Sequence, residues 1–190
     1  MLTEIKPIEH FKELVTEAVG HQKVETNEMA VFYLSTLLSD FVLAERLADE
    51  PLAITYLKAM GEGRAVRMRL MKHLGDISLF TSGFFSDSFR RKAVDVDYYA
   101  SIGSSCYNSV ASIHREERRA HVSSLFTELA VKFGAFADVL TEVSERSRLT
   151  SSKDILRIYE RWLRTRSKQA ERLLRTLGIE PHEVSTKPIH

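Results

Sequence analysis

Apolar positions recur at three- and four-residue spacing along most of this chain, the period of α-helices that pack by one face. Phe11, Leu14, Val15 and Ala18 mark a first helix over Ile8–Val19, with Gly20 as its stop. A second starts at Thr26 or Asn27, either of which can cap it, and runs to Asp49. Its apolar residues cover much of its circumference, from Met29, Phe32 and Tyr33 to Phe41 and Leu47, so it is expected at the centre of a bundle.

Pro51–Met60 reads as a short helix opened by its proline and followed by Gly61 and Gly63. Arg64–Phe84 is basic in its first half (Arg64, Arg67, Arg69, Lys72) and almost uncharged in its second, so it is expected to pass from surface to core. Beyond a polar connection over 86–96, Tyr98–His114 has Tyr99, Ile102, Cys106, Val110 and Ile113 on one face. Small residues fill the rest, which predicts a helix sandwiched between neighbours. The segment from Glu117 or Arg118 to Glu145 carries the clearest stripe (Val122, Leu125, Phe126, Leu129, Phe133, Phe136, Leu140), and a last helix spans Lys153–Leu177 before Gly178. No useful length alternates with the period of a strand. The pattern therefore predicts an all-α, single-domain bundle of about six or seven helices over residues 1–178, followed by a polar, flexible tail over 179–190.

Composition narrows the setting. A chain of 190 residues can bury a full core without a metal or disulfide. Cys106 stands alone, so no internal disulfide framework exists, and a reducing compartment is expected. The opening MLTEIKPIEHFKEL lacks the basic end and apolar run of a signal peptide, and no stretch approaches the roughly 20 apolar residues of a membrane span. A soluble, cytoplasmic protein is the expectation.

Net charge is +1, which argues against nucleic acid as partner. The distribution is less even: residues 1–50 balance to −6 and residues 153–178 to +5. These ends can attract each other within a chain or across a homodimer. Arg157, Arg161, Arg164, Lys168, Arg172 and Arg175 follow one another at intervals of three and four, so they form a strip along the last helix. That strip suits an anionic partner surface, or is a solvated face diluted by Glu160 and Glu171.

Chemistry concentrates around His73 and Asp76, three apart in the apolar part of the Arg64–Phe84 segment, with Ser78 beyond them. Tyr99, Cys106 and Tyr107 are placed to face them from the next helix. A carboxylate in that setting finds a partner or takes a proton. The group reads as a ligand-binding pocket for a small apolar ligand, haem or a metal, or as a hydrogen-bond network fixing helix register. The stretch LGDIS, residues 74–78, resembles the LGD-S segment on the distal haem helix of haem oxygenases, and His21 is similar in setting to their proximal ligand. The resemblance implies haem between two helices. Leu79 and Phe80 stand where that family has a glycine pair, and the interval from His21 to Gly75 is much shorter.

No Glu-x-x-His pair, phosphate loop, nucleophile elbow or zinc spacing occurs. His114, followed three residues later by Glu117, is expected on an exposed, charged turn. No catalytic residue or metal ligand is assigned. The function expected is non-catalytic binding or interaction. The alternative is an enzyme or carrier with haem, metal or an apolar ligand at His73 and Asp76.

Overall fold

In the computed structural model, residues 7–43, 51–84, 96–147, 152–168, 170, 171 and 174 are described. They form helices and no strand: α1 (Pro7–His21), α2 (Glu28–Leu43), α3 (Leu52–Gly61), α4 (Arg64–Phe84), α5 (Val96–Glu116), α6 (Ala120–Val131), α7 (Phe133–Ser147) and α8 (Ser152–Thr165). Among the described residues no helix is long and apolar enough to cross a membrane. The expected tail over 179–190 lies outside the described residues.

Local chemistry sets the starts. Asn27 Oδ1 accepts the Ala30 amide proton at 3.0 Å, which caps α2 as its sequence predicts. Pro51 is the N-cap of α3, one position before the first turn. The loss of charge along α4 has the expected consequence: Arg64 and Arg69 are exposed, whereas Leu74–Phe80 and Ser82–Phe84 are buried. That buried half packs against α5 and α7. A Cβ on Gly83 would lie 2.5 Å from Leu140 Cβ, so α4 and α7 cross closely there. Thr141 and Ser144 hydroxyls donate to the Gly83 and Phe84 carbonyls, each at 2.9 Å, and satisfy groups that a helix end leaves open.

Three features depart from the sequence pattern. The predicted 117–145 helix is two helices that part at Lys132, whose backbone sits at φ −99° and ψ 21°. The Lys132 ammonium donates to the Glu25 carbonyl and to Glu128, which also accepts from Thr26 and Asn27. The break thus fastens the α1–α2 turn to the α6–α7 corner. The last helix stops at Thr165, because Arg166 adopts a left-handed φ of 51°. Ser167 Oγ then accepts from the Ala170 amide at 3.4 Å and opens a new helical turn. Finally, α2 is not central. Met29 and Phe32 are 45% and 55% exposed, and α4 and α5 hold the middle of the core.

On α5, Gly103 is tightly covered by Phe133 and Ser78, yet Ser101, Ser105, Asn108 and Ser112 are exposed, so only one side of this helix is sandwiched. Trp162, Ala170 and Leu174 gather with Ile158 and Tyr159 in a small cluster separate from the main core.

Candidate functional site

The strongest polar cluster inside the bundle centres on Asp76, 7% exposed in the buried half of α4. Its Oδ1 accepts the hydroxyl protons of Tyr33 at 2.5 Å and Tyr107 at 2.9 Å. Its Oδ2 accepts from the Lys72 ammonium at 2.6 Å, one turn back on the same helix. Tyr33 comes from α2 and Tyr107 from α5, so a single carboxylate joins three helices. Gly75 makes this possible. A Cβ there would stand 2.6 Å from Tyr107 Cε1, so the ring can lie on the α4 backbone only because position 75 carries no side chain.

Aromatic packing holds the tyrosines in place. The Tyr33 ring meets Tyr107 and Phe126 edge-on at 6.4 and 5.6 Å, and Tyr107 packs on Phe133 at 6.2 Å. The Lys72 ammonium sits 5.1 Å from the centre of the Tyr33 ring. Burial first, and the Asp76 carboxylate second, push both phenols well above their ordinary range. They remain donors at neutral pH. Three donors on two oxygens leave the carboxylate well satisfied.

The six residues expected to share a pocket separate into groups. Asp76 and Tyr107 touch. Ser78 and Cys106 are buried along the same α4–α5 region. The Ser78 hydroxyl, like that of Ser82 one turn on, has no hydrogen-bond partner among the described residues. Burial pushes the Cys106 thiol up to about 12, so it stays protonated and unreactive. Tyr99 is half-buried against Tyr98, and burial raises its phenol. His73 is exposed and stacks on Phe41 at 6.5 Å, at the outer end of a run that continues through Phe80 and Phe84. It does not join Asp76. The sequence pattern does not single out Tyr33 or Lys72. Tyr33 reads there as one more apolar position of α2, whereas the four-residue step from Lys72 to Asp76 was a usable signal.

His21 lies at the end of α1 with its side chain 59% exposed, and its Nδ1 is 2.9 Å from Glu142 on α7. Gly75 is covered by Tyr107, not open to a flat ligand. The two features that resemble haem oxygenases therefore serve other contacts here. His114 corrects a further expectation. It is buried, stacks on Phe126 at 5.9 Å, and holds Nδ1 3.6 Å from Glu117.

Two surfaces lie outside this core. On α3, Ile54, Leu57 and Met60 are 45%, 70% and 51% exposed at consecutive three-residue steps. Beside them a groove of about 370 Å³ runs between α3 and α5, lined by Ala53, Tyr56, Leu57, Ser101, Ile102 and Ser105. On the cationic strip, Arg161 is half-buried, and Arg164 and Lys168 are exposed on either side of the Arg166 break. The side chains of Arg157, Arg172 and Arg175 lie outside the described residues. Among the described residues no three His, Cys, Asp or Glu side chains gather as a metal site. A scan against protein-family models and searches of the curated proteins and of the solved structures each found no match.

Proposed function

We propose that this protein works by binding another polypeptide, not by carrying out a reaction. The observation that carries this reading is the outer face of α3. Single exposed apolar residues are ordinary, but Ile54, Leu57 and Met60 form a ridge beside a groove whose lining bears no charge. The occupant that suits it is an amphipathic helix presenting uncharged side chains. Ser101 and Ser105 at the rim allow its backbone to come close. The Asp76 cluster then acts as a lock that keeps α2, α4 and α5 in register and so fixes the wall of the groove.

A second reading, a carrier of haem or another apolar ligand, draws support from the unpartnered Ser78 and Ser82 hydroxyls. Two titrations of the purified protein separate the readings. In the first, added haem is expected to leave the absorption spectrum the sum of its parts. In the second, a fluorescent apolar dye is expected to bind the native protein and to lose roughly half its signal in Leu57→Asp. A haem band that saturates at one per chain, and vanishes in a folded Asp76→Asn variant, would replace the interaction reading with the carrier.

A further inference from the structure

Charge that finds no partner within a chain is available between chains. On α1, Glu9 and Glu13 are exposed one turn apart, about 6 Å along the axis, and neither makes an ion pair among the described residues. Glu25 before α2, and Glu28 and Asp40 on it, are exposed as well, as are Lys12 on α1 and Lys23 just after it. Glu17, the next acid along α1, is engaged, at 2.7 Å from Arg146.

The opposite charge sits on α8 and just beyond it. Arg161, Arg164 and Lys168 likewise make no ion pair among the described residues. Next to them Leu163 is 40% exposed. Among the described residues, the buried side chains of this region (Trp162, Ala170, Leu174) form their own cluster, apart from the main core. A helix with a separate core, unpaired cations and an exposed leucine has the character of an arm.

We infer that α8 is the arm of a reciprocal homodimer: the cations of one copy seat on the acidic α1 face of a second copy, and the second copy returns the contact. A two-fold pair makes every such contact twice and closes, leaving neither charged face free to recruit a third copy. The inference rests on the interaction reading and names a second copy as one partner. Because exposed ion pairs are individually weak and screened by salt, the pairing depends on several acting together.

The test measures mass by light scattering on the full chain at micromolar concentration. In about 50 mM salt, where the screening length is about 14 Å, a dimer is expected. In about 500 mM salt, where it falls to about 4 Å, the dissociation constant is expected to rise at least tenfold. The variants Glu9→Lys with Glu13→Lys, and Arg161→Glu with Arg164→Glu and Lys168→Glu, are each expected to be monomeric with an unchanged circular dichroism spectrum. Mixing the two reversed proteins is expected to restore the dimer, because both contacts of the hetero-pair are again of opposite sign. A wild type that is monomeric at both salts, a reversed variant that still dimerises alone, or a mixture that stays monomeric would each overturn the inference. None of these outcomes changes the dye titration, which bears on the α3 face, or the haem titration, which bears on the carrier reading.

Discussion

Replacing Tyr107 with Phe isolates one contact of the Asp76 lock. The Tyr107 side chain is fully buried, and its ring keeps its packing on Phe126 at 5.8 Å and Phe133 at 6.2 Å. Only the hydroxyl that donates to Asp76 is lost. A hydrogen bond to a charged group contributes about 1.5–3 kcal/mol. The lower part of that range applies, because Tyr33 and Lys72 still donate to the carboxylate at 2.5 and 2.6 Å. We expect a loss of about 1.5–2 kcal/mol, read as a fall of roughly 3–8 °C in Tm for a chain of this size. Asp76→Ala goes further. It strips the acceptor from both tyrosines, leaves the Tyr107 hydroxyl buried without that partner, and is expected to cost about 3–5 kcal/mol. Lys72 is half-exposed and returns to water at little cost. In the Tyr107→Phe background the same Asp76→Ala change should cost about 1–2 kcal/mol less, since no buried Tyr107 hydroxyl remains to be orphaned. Urea titrations followed by circular dichroism give all four corners of the cycle. Additive losses, or a Tyr107→Phe protein as stable as the wild type, would refute the lock. A more stable one would mean that the hydroxyl is kept for a purpose other than holding the fold.

Other expectations follow from the same contacts. Gly75→Ala places a Cβ 2.6 Å from the Tyr107 ring and is expected to destabilise by about 1–3 kcal/mol, measured by the same titration. Tyr33 and Tyr107 have phenols raised well above 10.0 in the fold, so their contribution to stability is present below pH 10 and declines as pH rises beyond it. An ultraviolet titration should show these two of the six tyrosines ionising only with unfolding, and early ionisation would disprove their burial. Cys106 should resist thiol reagents in the native protein and react at once in urea. The Glu142 carboxyl is lowered, first by the hydrogen bond from Gln22 and then by His21, so its stabilisation holds above its ordinary value of 4.5 and is lost as pH falls further. Glu142→Gln should flatten that acid limb in a series of melts.

The helical class was legible because burial on one face writes a period into the sequence, and α4 shows how far that goes. Its charge stops at Asp76 and its unbroken burial begins at Leu74, after an isolated buried Met71, so the loss of charge marks the surface-to-core passage within a turn. The break at Lys132 was illegible for the same reason. Leu129, Phe133 and Phe136 keep the stripe through the corner, and the contact that marks it, from Lys132 to Glu25, spans more than a hundred residues of chain. Arg166 gave no warning either, since a left-handed arginine has no signature in composition. The apolar residues of α2 cover much of its circumference, a pattern that points to the centre of a bundle. Phe32 and Met29 are exposed all the same, and helices with glycines at their crossings, α4 and α5, take the middle.

Gly75 and Asp76 carry a more general point about sequence and site. A glycine beside a carboxylate in an apolar helix means that something flat must reach the backbone and something polar must meet the acid. The sequence alone allows that object to be a ligand, as the resemblance to haem oxygenases implies, or a side chain from the facing helix. Tyr107 satisfies both conditions at once: its ring fills the space over Gly75, and its hydroxyl donates to Asp76. The discriminating feature is therefore on α5, not α4. Thirty-one residues separate Asp76 from Tyr107, so no local motif contains both. Where the facing helix offers an aromatic donor at that depth, the glycine–carboxylate pair is used up by the fold, and the partner surfaces we propose lie outside it, on α3, α1 and α8.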